Sequence, residues 1–133
     1  MAEIRVLLVE PGEKPRLVTV EHTLENLQAL VDGYIQAVYP WDDPVAVICD
    51  DDGIANGKPL NRLLTDEGGN PYDALKGTFF ICGLGEEDFD SISDEMAEKY
   101  AERFRWPEMF TRTMDGHVVW IRLAPGVTPK ILC

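Results

Sequence analysis

The sequence predicts an α+β fold: a mixed sheet of about five strands, two helices and a C-terminal β-hairpin. Three observations carry this. First, the stretch from Gly33 to Gly85 holds the two most apolar short runs, Pro44-Val-Ala-Val-Ile-Cys49 and Thr78-Phe-Phe-Ile-Cys82. Each is closed by turn formers, Asp52-Gly53 and Gly83-Leu84-Gly85. Short continuous apolar runs between such signals fit strands covered on both faces. Second, two segments repeat apolar residues at helical spacing. Third, Asp115-Gly116 stands between two strand-like runs, a strong short-range hairpin signal.

Taken in order, Ile4–Val9 is an apolar, β-branched strand, broken by Pro11-Gly12 and Lys14-Pro15, and Leu17–Val20 returns as its hairpin partner. Thr23 is placed as an N-cap with Glu25 in the first turn, where a negative charge suits the helix dipole. Leu24, Leu27, Leu30 and Val31 form the apolar face of this helix (Thr23–Asp32), and Gly33 follows as its C′ glycine. Tyr34–Tyr39 is the third strand. Pro40-Trp-Asp-Asp-Pro44 makes a rigid turn, because a residue before proline is pushed out of the helical region.

Beyond the Val45–Cys49 strand, Asp52-Gly53 and Asn56-Gly57 predict tight turns or a hairpin. Lys58–Leu64 reads either as a helical turn or as an extended segment, and Tyr72–Lys76 as one helical turn before the Thr78–Cys82 strand. Ser91 or Ser93 caps the second helix (Ile92–Phe104), whose stripe is Ile92, Met96, Tyr100 and Phe104, and Pro107 ends it. Met109–Met114 and His117–Leu123 form the last hairpin. A two-residue turn at Asp115-Gly116 would set Phe110, Arg112 and Met114 on one face with Ile121, Val119 and His117. The element order resembles a β-grasp arrangement. Residues 1–133 read as one domain, with 105–133 as a hairpin extension.

A chain of 133 residues buries roughly two thirds of its unfolded surface, enough for a core without staples. Its charge is uneven. Of a net -12, Asp42 to Asp73 holds eight acids and two bases, and Glu86 to Glu98 seven acids and no base. Such a surface repels nucleic acid and anionic membrane, so neither is expected as a direct partner, and it favours a basic protein. Cys49, Cys82 and Cys133 show no CxxC spacing. An odd count, an opening without a basic leader and no apolar run near ~18 residues predict a cytoplasmic protein with reduced thiols.

Few patterns carry chemistry. Asp50, Asp51 and Asp52 before Gly53 suggest calcium, but the EF-hand pattern fails at Ile54 and at Asn61, where a glutamate is required. Gly83-Leu84-Gly85 has Asp88 in place of a third glycine, and Glu86, Glu87 and Asp88 would repel phosphate. Two serines cluster near a helix cap, and the histidines, His22 and His117, stand in no metal-spacing motif. No catalytic residue, metal or cofactor is expected. Candidate binding residues are Asn61 and Arg62 with Tyr72 and Asp73, an arginine–carboxylate group able to hold a ligand carboxylate or phosphate or else to pin a loop. To these are added Trp41, which caps the core edge or makes outward contacts, Asp42, Asp43 and the acidic loop residues above.

The middle of the chain resembles the uncharacterised family catalogued as domain of unknown function 3846. The residues that carry it are Val9-Glu10-Pro11-Gly12, Gly33-Tyr34-Ile35, Tyr39-Pro40 with Asp42-Asp43-Pro44, Pro59 with Asn61-Arg62, Tyr72-Asp73, and Gly77-Thr78-Phe79-Phe80 closing on Gly83. The resemblance spans Ile4 to Phe104 and brings no established activity. It implies an accessory protein of phages, plasmids and conjugative elements, working inside a bacterial cell. Two functions follow as expectations. One is a non-enzymatic module whose acidic surface occupies a basic partner, as a DNA mimic against a host defence or nucleic-acid-binding protein. The other is a small-molecule-binding or enzymatic domain built on Asn61, Arg62 and Asp73.

Overall fold

The structure, a computed structural model, describes residues 3–51, 57–65, 70–124 and 130–131. Its main sheet contains β1 (Glu3–Val9), β2 (Arg16–Glu21), β3 (Ile35–Val38), β4 (Val45–Asp50) and β7 (Phe79–Leu84), in the order β2-β1-β7-β4-β3. A two-residue strand, β8 (Phe89–Asp90), pairs with the end of β7. Helix α1 (Leu24–Val31) follows β2, and α2 (Asp94–Arg103) follows β8. A separate pair, β5 (Leu60–Thr65) with β6 (Pro71–Lys76), lies between β4 and β7 in sequence. The C-terminal strands β9 (Glu108–Arg112), β10 (Val118–Arg122) and β11 (Lys130–Ile131) form a third sheet.

Every pairing in the main sheet is antiparallel, not mixed as the sequence suggested. The chain leaves β4 at Asp50, makes the β5–β6 hairpin and re-enters at Phe79, which lies at the same end of the sheet. So β7 runs against both β4 and β1, and the parallel central pair that defines a β-grasp sheet does not form.

The two apolar runs are the middle of this sheet, as their composition requires. Val47 pairs with Ile81 and Ile48 with Phe80. Alternate residues serve different cores. Ile48, Phe80 and Cys82 meet Leu27 and Val31 of α1 on one face. Val47, Cys49, Phe79 and Ile81 meet Tyr100 and Phe104 of α2 on the other, joined there by Leu64 and Leu75 from the β5–β6 pair. Both faces are therefore covered, which is why these strands lack an apolar–polar alternation.

Local signals set the helix ends. The Thr23 hydroxyl accepts the Asn26 N–H at 3.2 Å, and the Ser93 hydroxyl accepts the Met96 N–H at 3.2 Å. Ser91, the other candidate cap, instead accepts the Arg5 N–H of β1 at 2.9 Å. At the end of α1 the left-handed residue is Asp32, at φ 53°, one position before the expected glycine. Gly33 answers a different demand: a Cβ there would lie 2.6 Å from the buried Asp50 carboxylate.

Three segments depart from expectation. Tyr72–Lys76 is strand, not helix, because Pro71–Lys76 pairs with Leu60–Thr65, and tertiary pairing overrides the helix preference of Ala74, Leu75 and Lys76. Lys58–Leu64 resolves to extended chain, with a break in register between Leu60 and Arg62 that leaves Asn61 as a bulge. In the last hairpin Thr113 N–H donates to His117 O at 2.8 Å, and Gly116 sits at φ 90°. The loop is thus three residues long, Met114 to Gly116, and the register slips by one from the two-residue expectation. Phe110 stands opposite Trp120, not Ile121. The tight turns expected on Asp52-Gly53 and Asn56-Gly57 fall largely on residues 52–56, outside the described residues.

The core also fixes the thiols. Burial raises the pKa of Cys49 and pushes Cys82 up to about 12, with the Asp88 charge adding to the effect. In a Cys133→Ser variant, neither remaining thiol is expected to react with an aromatic disulfide at pH 8 until the protein is unfolded. Prompt modification of Cys82 in the native state would contradict the packing described.

Candidate functional site

Asn61 and Arg62 are fully buried, each at 0 % exposure. The Asn61 amide donates to Val9 O at 3.0 Å and to Gly77 O at 2.8 Å, joining the end of β1 to the start of β7. All five guanidinium N–H donors of Arg62 are taken. Nε and Nη2 donate to Phe104 O at 3.3 and 3.1 Å, and Nη2 also to Glu13 O at 2.6 Å. Nη1 donates to Asn61 Oδ1 at 2.7 Å and to Asn61 O at 3.3 Å.

The nearby buried anion is Glu108 in β9, 7 % exposed. It accepts the Leu63 N–H and the Trp120 indole N–H, both at 2.8 Å, and lies 3.8 Å from Arg122 Nε. Burial lowers the Arg62 pKa, and the Glu108 charge acts against that shift. The ligand site expected from Asn61, Arg62, Tyr72 and Asp73 is therefore not assembled. Asp73 is exposed, and its carboxylate accepts the N–H of its own neighbour Ala74 at 2.8 Å. Tyr72 lies in β6. Arg62 pins loops and leaves no donor for a ligand.

A second interior charge joins the end of β4 to the end of α1. Lys58 Nζ lies 2.7 Å from the Asp50 carboxylate and donates to Val31 O and Asp32 O, both at 2.6 Å. Three ammonium donors meet three acceptors, two of them carbonyls that α1 leaves without intrahelical partners. Asp50 is thus a buried structural ion, not a surface ligand. Asp51 is exposed, and Asp52 lies outside the described residues.

In the β3–β4 loop, Trp41 stacks on Tyr100 with ring centroids 4.3 Å apart and closes the core edge. Its indole N–H is buried without a hydrogen-bond partner among the described residues. Asp43 accepts from Lys99 at 2.5 Å and from the Tyr100 hydroxyl, and Asp42 is exposed. Those two bonds hold the Asp43 carboxyl below its usual range, the Lys99 bond contributing most.

Ten exposed carboxylates share one end of the sheet, while Glu13, Asp32, Asp51, Asp73, Glu98, Glu102 and Asp115 are exposed elsewhere. β1 begins, β2, β3 and β7 end, and β4 begins, all at one end of the sheet. Both helices open there too, since α1 follows β2 and Arg5 of β1 donates to Ile92 O and to the Asp94 carboxylate beside the α2 cap. This end carries Glu86, Glu87 and Asp88 in the β7–β8 turn, and Asp42 in the β3–β4 loop. It also carries Glu3, Glu21, Glu25, Asp90, Asp94 and Glu95, which sequence reasoning did not single out as site residues. All ten are exposed. Against them stand Arg5, bound to Asp94, and Lys99, bound to Asp43 in the loop that carries Asp42; His22 lies 3.5 Å from Asp88. Glu3 and Glu21 face each other directly across the β1–β2 ladder, an arrangement that costs stability. Carboxylates at two helix N-termini are in turn favoured by the helix dipoles.

Among the described residues no group of three or more His, Cys, Asp or Glu is placed to hold a metal ion. No described helix is long and apolar enough to cross a membrane.

Fold and surface together define a small antiparallel α+β domain with one acidic end. The family model "Domain of unknown function (DUF3846)" matches residues 4–105, and the chain belongs to that family. No curated protein and no solved structure matches it. The matched residues run from β1 through α2, so β9 to β11 lie beyond them, although β9 supplies the buried Glu108.

Two tests follow from the interior charges. Arg62→Met leaves the Phe104 and Glu13 carbonyls and the Asn61 side-chain oxygen without their buried donors, and should cost about 3–5 kcal/mol in urea unfolding. Asp73→Asn should leave the midpoint unchanged. Equal effects would mean that the two residues act as a pair. For Asp43, the folded pKa is depressed, so its contribution is present above the ordinary 3.8 and is lost as pH falls through the folded value. The urea midpoints of wild type and Asp43→Asn should differ by a constant amount above about pH 5 and converge towards pH 2.

Proposed function

We propose that this protein is a non-enzymatic interaction module that binds a basic protein through the acidic end of its sheet. The observation that carries the proposal is the set of ten exposed carboxylates at that end, near which Arg5, His22 and Lys99 lie. Exposed like charges held on a rigid sheet and two helix ends create a sustained negative potential. That potential attracts cationic partners and repels nucleic acid. The finer reading is that the module belongs to a mobile element in a bacterial cytoplasm. There the carboxylates stand in for phosphates on a host defence or nucleic-acid-binding protein.

Neutralising the turn between β7 and β8 (Glu86→Gln, Glu87→Gln, Asp88→Asn) leaves the core untouched, because all three side chains are exposed. Wild type immobilised in about 0.1 M salt should retain a basic protein that duplex DNA displaces, and retention should fall steeply by about 0.5 M salt. The triple variant should lose that capture. Equal retention by wild type and variant, or no effect of DNA, would end the proposal.

A further inference from the structure

The two outer edges of the main sheet are unlike. β3 is four residues long and is followed closely by Pro40, a short and blunted edge. β2 is six residues long and pairs with β1 without a register break, and its interior, Leu17–Val20, holds no charge and no proline. Among the described residues no strand pairs with its outer side. An edge of this kind presents unpaired backbone N–H and C=O groups to any extended chain that reaches it.

Beside that edge lies a groove of about 400 Å³ between β2 and α2. Its floor is Leu7, Leu17, Ala97 and Ala101, and its α2 wall carries Asp94 and Glu98. Leu7 is buried, but Leu17, directly opposite it in the ladder, remains 45 % exposed. The helix runs alongside the β1–β2 hairpin. Its start is tied to Arg5, and the carbonyl of Phe104 at its end shares Arg62 with Glu13 of the β1–β2 loop. Asp94 and Glu98 are one turn apart, ~6 Å along the helix axis. Alternate side chains of a strand repeat every ~6.7 Å, so two successive same-face residues of an added strand match that spacing. Glu98 has no ion-pair partner among the described residues; Asp94 is bound to Arg5, and Arg16, at the far end of the groove, to Glu10 at 2.9 Å. The groove is therefore apolar below and negative along one wall.

We propose that the β2–α2 groove takes an extended segment of the basic partner as an added antiparallel or parallel strand on β2. In it, an apolar side chain lies over Leu17 and lysine or arginine side chains lie towards Glu98 and Asp94. This rests on the acidic-module reading and adds to it the form in which the partner is held. A second copy of this chain is a poorer occupant, since each copy carries a net charge of -12.

The test uses the full chain and two synthetic peptides of equal positive charge, each with two lysines at successive same-face positions and, at the next same-face position, valine in one peptide and glycine in the other, with threonine between. The valine peptide should slow amide hydrogen exchange across β2 about a hundredfold at about a hundred times its Kd, following the factor 1 + [L]/Kd. The protection should disappear in Leu17→Lys and in Glu98→Lys, whose side chains are exposed enough to leave the fold intact. If both peptides bind in a salt-dependent way and neither protects β2, strand addition is overturned while the acidic-module reading stands. If neither binds, both fail. Protection of β2 without peptide, rising with protein concentration alongside a doubling of mass, would assign the edge to a second copy and overturn the proposal.

Discussion

The buried guanidinium of Arg62 is the interaction on which the rest of the molecule depends. It stands where three parts of the chain converge: the β1–β2 loop at Glu13, the end of α2 at Phe104 and the β5 bulge at Asn61. None of these parts has a regular backbone partner for the carbonyls concerned. A helix end leaves its last carbonyls unbonded, and a bulge breaks its ladder. A planar group with five fixed donors can serve several such carbonyls at once, whereas an ammonium offers three. The desolvation this requires is offset because every donor is used.

Lys58 performs the same service at the end of α1, on the other face of the same end of the sheet, where the bonds required are fewer. It crosses close over Gly77, where a Cβ would lie 2.7 Å from its stem, to reach the last carbonyls of α1 and the Asp50 carboxylate. Gly33 gives room to that same carboxylate. Two glycines, a lysine and an aspartate far apart in sequence thus form one joint. The family model covers all four positions, whereas the buried Glu108, which holds Leu63 and Trp120, lies beyond its match.

Sorting the charges in this way gives the surface its character. Asp43 and Asp50, which contribute to the acidic windows of the sequence, are committed to Lys99 and Lys58. Ten of the carboxylates left outside stand at one end because an antiparallel sheet returns its chain there repeatedly, and because both helices begin there. The negative pole is a consequence of topology acting on a composition with twice as many acids as bases.

The sequence by itself determined the elements whose signals are local. The two central strands, both helices and their Thr23 and Ser93 caps were legible because apolar periodicity and cap chemistry act over a few residues. For Arg62, loop pinning was one of two readings of the sequence, but its burial and its acceptors were not legible, since they arise from segments up to 49 residues away. The same holds for the β5–β6 pair, where long-range pairing overrode helix preference, and for the last hairpin, where one residue in the loop reversed every face. The all-antiparallel order and the collection of Glu3, Glu21, Glu25 and Glu95 beside the β7–β8 turn were likewise decided only in three dimensions. Nothing in a linear sequence states at which end of a sheet a loop emerges; strand direction does.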